Sequence, residues 1–200
     1  MTDGVDWLAD LDRVLLPESV LRQRVRELAQ AIAADYAGKD LLVLGVLTGS
    51  FVFVADLVRA LDLPLEVGFI SASSYGKQSA SNGQVTVLEG LWPELSGRDV
   101  LLVEDIVDSG HTLAHLRQEL ARRGPRSVAV CCLLDKTERR EVPVTVEYLG
   151  FSVPNEFLVG YGLDYAGRFR HLPYVAALKA EAYQGKDEQS SEVLDDVGAE

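Results

Sequence analysis

One stretch near the middle of this 200-residue chain constrains its fold more than any other. Residues 100–103 are four consecutive apolar residues, a pattern that predicts a buried strand. The acidic pair Glu104 and Asp105 ends that run, and small or hydroxyl-bearing residues at 109–112 precede a helix predicted from Leu113 onward. A strand that leads into a helix N-terminus leaves free N–H groups at the positive end of the helix dipole. The stretch therefore predicts an anion-binding loop.

The acidic pair beside this loop requires a second kind of partner. Carboxylates repel a phosphate, so Glu104 and Asp105 are expected to face another part of the same ligand. Vicinal sugar hydroxyls suit them, because a carboxylate accepts two hydrogen bonds with its two oxygens, and a divalent metal carried by the ligand suits them as well. Ribose hydroxyls on the acids and a 5-phosphate on the loop together indicate a phosphoribosyl group.

The run Val103–Thr112 resembles the phosphoribosyl-pyrophosphate (PRPP) signature of type I phosphoribosyltransferases. Over most of its length the chain resembles the hypoxanthine-guanine phosphoribosyltransferases within that family. The resemblance implies an α/β fold with a mostly parallel twisted sheet, flanking helices and a small hood. It also implies Mg²⁺ as cofactor, PRPP and 6-oxopurine bases as ligands, and a homodimer or homotetramer.

The resemblance assigns a role to each residue of the signature. Asp108 matches the acid that takes the purine N7 proton, and Glu104 and Asp105 match the acids that hold ribose hydroxyls and support metal binding. The residues implied for the ribose and 5-phosphate are Glu104, Asp105, Asp108, Ser109, Gly110, His111 and Thr112. His111 is expected to contribute its backbone rather than to act as a catalyst.

A similar strand–loop–helix unit precedes the signature, with strand 41–47, the loop Thr48-Gly49-Ser50 and a helix over 51–61. In open parallel sheets, ligands bind beyond the carboxyl ends of strands, so both loops can face one ligand. The resemblance implies that Thr48 and Gly49 contact pyrophosphate through main-chain N–H groups, often helped by an unusual peptide geometry. Thr48 stands where these enzymes commonly carry a lysine. From the residues alone, a plain strand-to-helix turn remains open.

Polar residues 71–83 separate a strand predicted at 65–70 from another at 85–87. Their composition alone favours a disordered hairpin tip. The resemblance implies instead a mobile lid, in which Ser74 and Tyr75 close over the reacting centre and exclude water.

Lys136 follows the apolar strand predicted over 127–134. It resembles the lysine that donates to the purine 6-oxo group. An ammonium group has only donors, so it favours a 6-oxo group over the 6-amino group of adenine. From the residues alone, Lys136 fits better in a solvated charge run with Glu138, Arg139 and Arg140.

The segment 148–165 carries the second resemblance to the family, in the region that forms its hood. Phe157 matches the aromatic residue that stacks on the purine, and Leu158 the residue that offers backbone groups to its edge. Asp164 matches an acid that helps to hold magnesium, and Arg170 an arginine that contacts pyrophosphate. From the residues alone, Phe157 could be a core residue and Asp164 a turn residue.

Composition and charge exclude other classes. A net charge of −12 argues against a nucleic-acid-binding protein, and no apolar run approaches the ~20 residues that cross a membrane. The adjacent Cys131 and Cys132 point to opposite faces of a strand and indicate free thiols in the cytoplasm. We predict one domain over residues 1–183, with a hood built from the N-terminal and 148–180 segments, and an acidic, disordered tail at 184–200.

The resemblance implies a function in purine salvage, in which the phosphoribosyl group of PRPP passes to hypoxanthine or guanine to give IMP or GMP and pyrophosphate. Two alternatives remain open from the sequence: a xanthine-preferring enzyme, and a nucleotide-sensing or RNA-binding regulator on the same fold.

Overall fold

The computed structural model describes residues 7–74, 85–87 and 92–183. These residues fall into two compact units, a larger one within residues 19–155 and a smaller one from residues 7–18 and 156–183. The strands are β1 (Leu11–Leu16), β2 (Leu41–Leu47), β3 (Leu65–Ser74), β4 (Val85–Val87), β5 (Asp99–Val107), β6 (Ser127–Asp135), β7 (Tyr148–Ser152), β8 (Leu158–Val159) and β9 (Val175–Leu178). The helices are α1 (Glu18–Asp35), α2 (Phe51–Ala60) and α3 (His111–Ala121), with short 3₁₀ turns at Trp7–Asp10 and Thr137–Arg139.

The larger unit is built on a six-stranded sheet of order β4-β3-β2-β5-β6-β7. Strands β3, β2, β5, β6 and β7 run parallel, and β4 pairs antiparallel to β3. The predicted mostly parallel sheet is confirmed. Because β2 and β5 are parallel neighbours, the loops that follow them lie at the same edge of the sheet.

The central strand β5 differs from the prediction at its end. Glu104 and Asp105 do not end it, because β5 continues to Val107. The reason is the neighbouring strand: Glu104 pairs with Cys132, and Val107 with Asp135, so the ladder with β6 carries the strand past the acidic pair. The two carboxylates are therefore held on a strand rather than on a loop.

The apolar runs of β2, β5 and β6 form the core of the larger unit, as their continuous hydrophobicity predicts. Helix α1 buries one face at helical spacing, through Leu21, Val25, Leu28, Ala29 and Ile32. Among the described residues, no helix is long and apolar enough to cross a membrane.

The smaller unit contains a three-stranded antiparallel sheet of order β1-β9-β8. Strand β1 has no clear alternation of buried and exposed residues, which is why its sequence carries no strand signal. All four residues of β9 are buried, and β1 pairs with it along its length. The second segment of the smaller unit begins at Glu156, and residues 148–152 form β7, which pairs with β6 in the larger sheet.

Candidate active site

Glu104 is the least expected feature of the site, because its carboxylate is buried. Glu104 is 7% exposed, and its Oε2 atom accepts no hydrogen bond from the described residues. Burial raises the pKa of Glu104 well above its usual range, and the neighbouring charge of Asp105 raises it further. A buried carboxylate oxygen without a donor destabilises the ligand-free chain and is suited to accept a hydrogen bond from a ligand.

Asp105 connects this strand to the loop after β2. The backbone N–H of Ile106 donates to Asp105 Oδ1 at 2.9 Å. A Cβ placed on Gly49 would overlap the other carboxylate oxygen, so the close approach of this loop to Asp105 requires glycine. The Leu47–Thr48 peptide beside it is cis. The structure thus brings Thr48, Gly49 and Asp105 together.

The chain enters α3 through Gly110, which has φ +92° and ψ −10°. This left-handed residue lets the helix begin at His111 rather than at the predicted Leu113, and the Ala114 N–H already bonds Gly110 O at 2.9 Å. A cavity of about 80 Å³ opens at this helix N-terminus. Its lining residues are Glu104, Ile106, Val107, Asp108, Ser109, Gly110, Thr112 and Leu113. The cavity joins one acid of the pair to the predicted phosphate-binding residues.

Asp108 lies at this cavity and is ion-paired with Arg139. Arg139 Nε lies 2.8 Å from Asp108 Oδ1, with both side chains nearly half exposed. The pair is a close charge contact rather than a well-aligned hydrogen bond, since Oδ1 accepts none from the described residues.

Lys136 is buried at 9% exposure, immediately after β6. Its backbone N–H bonds Val107 O at 2.9 Å, which fixes it next to the end of β5. Burial lowers the pKa of the Lys136 ammonium, Asp108 opposes that shift, and Arg139 adds to it. The burial and the effect of Asp108 argue against a solvated charge run at this position.

Sequence reasoning missed three residues around this site: Asp135, Arg139 and Arg140. Arg140 Nε donates to Asp135 Oδ1 at 3.0 Å, and both side chains are mostly buried. The two charged residues are five apart in the sequence, on either side of a turn, so no helix or strand periodicity could have paired them.

Phe157 and Leu158, which the resemblance assigns to the hood, lie in the smaller unit. Phe157 meets Tyr165 edge to face at 5.3 Å and stacks on Tyr183 at 5.0 Å, while its backbone oxygen accepts the Leu178 N–H. Leu158 is buried in β8. The ring of Phe157 is therefore part of an aromatic cluster in this unit.

Asp164 and Arg170 pair with one another. Arg170 Nη2 lies 2.7 Å from Asp164 Oδ1, and the Gly167 N–H donates to Oδ2 at 2.8 Å. Arg170 Nη1 also donates to Gly162 O at 2.6 Å. The predicted metal ligand and the predicted pyrophosphate ligand are thus adjacent.

The predicted lid is described only at its start. Ser74 ends β3, where it pairs with Val85, and Tyr75 lies outside the described residues, as does the tail at 184–200. Cys131 and Cys132 are free and buried, and burial raises the pKa of both thiols. Within the described ranges, no group of three or more His, Cys, Asp or Glu side chains could hold a metal ion by itself.

The chain is similar to proteins of known family over most of its length. The family model described as phosphoribosyl transferase domain matches residues 17–166. A hypoxanthine phosphoribosyltransferase from Salmonella typhimurium is 50% identical over 164 residues, which are 81% of this chain and 92% of that protein. A hypoxanthine-guanine phosphoribosyltransferase from Mycobacterium avium is 45% identical over 181 residues, 88% of this chain and 89% of that protein.

Solved structures give the same result. A hypoxanthine phosphoribosyltransferase from Staphylococcus aureus superposes with a TM-score of 0.83 at 39% identity, covering 88% of this chain and 95% of that chain. A hypoxanthine-guanine phosphoribosyltransferase from Bacillus anthracis gives a TM-score of 0.80 at 44% identity, covering 84% and 99%.

Proposed function

The chain belongs to the hypoxanthine-guanine phosphoribosyltransferases of the phosphoribosyl transferase family, and we propose that it transfers the phosphoribosyl group of PRPP to hypoxanthine or guanine. The products are IMP or GMP and pyrophosphate, and the enzyme is a pentosyltransferase of purine salvage. The observation that carries the proposal is the cavity at the start of α3, where a phosphate-binding helix N-terminus meets the buried carboxylate of Glu104.

The 5-phosphate is bound by the N-terminus of α3. Residues Ser109, Gly110, His111 and Thr112 present backbone N–H groups and hydroxyls at the positive end of the helix. Glu104 and Asp105 accept hydrogen bonds from the ribose hydroxyls, and the ligand thereby supplies the donor that Glu104 Oε2 lacks. The carboxylates and the helix N-terminus together orient the phosphoribosyl group.

The purine is recognised by Lys136 and deprotonated by Asp108. A base nitrogen forms the bond to the anomeric carbon, the bond from that carbon to pyrophosphate breaks, and Asp108 takes the N7 proton. Lys136 donates to the 6-oxo group. Because Lys136 is buried, a base that offers its ammonium group no acceptor loses binding free energy. We propose that the enzyme prefers hypoxanthine or guanine to xanthine, since the relatives described above are named for hypoxanthine and guanine.

The residues fit Mg²⁺ as a cofactor bound together with PRPP. Protein sites for Mg²⁺ usually use one or two carboxylates plus substrate oxygens, and Glu104 and Asp105 offer such a pair. When bound, Mg²⁺ neutralises negative charge on the departing pyrophosphate. Asp164 is a further ligand by resemblance.

Pyrophosphate contacts are proposed for Thr48, Gly49 and Arg170. The close approach of Gly49 to Asp105 supports a backbone role of this loop beside the ribose acids. The role of Arg170, the purine contacts of Phe157 and Leu158, and the lid role of Ser74 and Tyr75 rest on the resemblance.

The organisation of the protein is also part of the proposal. We treat residues 1–183 as one domain with 184–200 as its tail, and we expect a homodimer or homotetramer, which sedimentation equilibrium tests directly. The buried free thiols of Cys131 and Cys132 support a cytoplasmic location. Nucleic acid and membrane are not expected partners.

A panel of four bases tests the function. Wild-type protein with PRPP and Mg²⁺ is given hypoxanthine, guanine, xanthine or adenine, and nucleotide formation is followed by absorbance. We expect turnover of hypoxanthine or guanine with adenine inert. A folded protein that turns over none of the four but binds IMP would contradict the enzyme and favour the nucleotide-sensing regulator.

A further inference from the structure

We propose that residues 139–142 form a strap that positions the phosphate loop, residues 108–111, and that Arg140 is the positioning residue of this strap. The inference rests on the proposed function and deepens it, because the strap acts on the binding of the 5-phosphate. Both segments lie in the larger unit.

The strap contacts the phosphate loop along its whole length. The backbone N–H groups of Glu141 and Val142 both donate to Ser109 O, at 3.0 and 3.1 Å. Arg139 pairs with Asp108 at 2.8 Å, and Glu141 Oε2 lies 2.9 Å from His111 Nε2. The loop would otherwise present free carbonyl and carboxylate groups on this side, so the strap fixes its backbone.

Arg140 is anchored behind the loop. Its side chain is 17% exposed and its Nε donates to Asp135 Oδ1 at 3.0 Å. Its Nη1 is buried without a hydrogen-bond partner among the described residues. A Cβ placed on Gly110 would lie 3.6 Å from Nη1 and 2.8 Å from Val142 O, so the strap packs directly against Gly110.

The charges of the phosphate loop explain why a buried arginine next to Gly110 matters. Residues 104–113 contain three acids and neither lysine nor arginine, so the predicted phosphate site draws no charged cation from its own segment. The dipole of α3 supplies only a partial positive charge. A guanidinium stays protonated when buried, and in a poorly solvated position its field extends to the loop. Asp135 pairs with Nε, whereas Nη1 has no hydrogen-bond partner among the described residues and lies toward Gly110. This end of Arg140 therefore supplies positive potential at Gly110 and holds the loop in a binding geometry, with no contact to the ligand required.

The test measures binding of ribose 5-phosphate by calorimetry to wild type, Arg140→Gln, Arg140→Lys and the control Arg59→Gln. Arg59 is an exposed arginine of α2 paired with Asp56, so its replacement makes the same change in charge away from the loop. We expect Arg140→Gln to weaken ribose 5-phosphate binding roughly 10- to 100-fold, since a displaced binding group costs that much. Arg140→Lys should restore part of the loss, because it keeps the charge without the fork that reaches Asp135. Arg59→Gln should bind as wild type.

Kinetics separate a positioning role from general destabilisation. For Arg140→Gln, the KM for PRPP should rise far more than the KM for hypoxanthine. If Arg140→Gln does not fold, Arg140→Lys carries the prediction in weaker form, since lysine keeps the charge but loses the planar guanidinium that Asp135 holds. Unchanged ribose 5-phosphate affinity in the folded variant, or equal rises in both KM values, would overturn the strap.

The outcomes also separate this inference from the proposed function. A wild type that binds ribose 5-phosphate in an Arg140-dependent way but forms no nucleotide would refute the function and support the strap. A wild type that forms IMP, with Arg140→Gln unimpaired, would refute the strap alone.

Discussion

Glu104, which we propose to bind the ribose hydroxyls, is buried at a cost in stability. Its folded-state pKa is raised, so the unfolded chain releases this proton at lower pH than the folded chain does. Stability therefore falls as pH rises from about 4, the unfolded carboxyl pKa, and the loss is complete above the folded pKa. Neutral pH lies above the unfolded carboxyl pKa, so the ligand-free protein carries a penalty there that is absent below about pH 4.

Replacement of Glu104 by glutamine should remove that penalty. We expect Glu104→Gln, measured by thermal unfolding in EDTA without ligand, to raise the Tm by a few degrees at pH 7, from about 1–3 kcal/mol of relieved burial cost. The advantage should shrink toward pH 4. The exposed Glu138→Gln serves as control, with no expected gain. A Tm for Glu104→Gln at or below that of wild type would show that the buried carboxylate is not destabilising.

Lys136 is expected to set base selectivity. Glutamine at this position offers both a donor and an acceptor, so Lys136→Gln should lower the ratio of kcat/KM for hypoxanthine over adenine by roughly tenfold or more. The exposed Lys39→Gln is the matched control. Selectivity that survives in Lys136→Gln would assign recognition of the 6-oxo group to another residue.

The segment that carries the PRPP signature could be located in the sequence because its residues are contiguous and their chemistry is local. The partners of that signature could not. The sequence predicts that Arg139 and Arg140 are exposed charges. In the structure Arg139 pairs with Asp108, and Arg140 pairs with Asp135. These contacts depend on a turn that brings residues 139–142 onto the loop at 108–111, which no local pattern encodes.

At the scale of elements, the loop after β2 depends on the absence of a side chain at Gly49. A methyl group there would overlap the Asp105 carboxylate, so either the loop or Asp105 must move. We expect Gly49→Ala to raise the KM for PRPP at least about tenfold, because misplaced binding groups carry that cost. Gly68→Ala is the control, as its Cβ would stay 3.3 Å from the side chains of Leu44 and Pro93. An unchanged KM would mean that this loop does not shape the PRPP site.

The elements themselves were predictable to different degrees. The runs of β2, β5 and β6 are continuously apolar and were located correctly, since buried parallel strands carry that signature. The end of β5 and the start of α3 were wrong by two or more residues, because pairing with β6 and the left-handed Gly110 decide them. Strand β1 was missed, because only its pairing with β9 makes it a strand.

At the scale of the whole molecule, an acidic protein is proposed to bind an anionic substrate. The net charge of −12 opposes such binding at long range, so affinity must come from local groups. We propose that the local groups are the helix N-terminus at Gly110, the cations of residues 136–140, and the Mg²⁺ proposed for Glu104 and Asp105. The sequence predicts the sign of the total charge, but not that the folded chain brings Lys136, Arg139 and Arg140 next to the segment at 107–110.

The central claim is transfer of the phosphoribosyl group, with Asp108 as the carboxylate that takes the purine proton. The most direct measurement is ³¹P NMR of PRPP with hypoxanthine and Mg²⁺, for wild type and Asp108→Asn. The account predicts that wild type converts each PRPP to one IMP and one pyrophosphate. Asp108→Asn should lower kcat by about 10²- to 10⁴-fold. Ribose 5-phosphate in place of IMP, unchanged PRPP, or an undiminished rate in Asp108→Asn would contradict it.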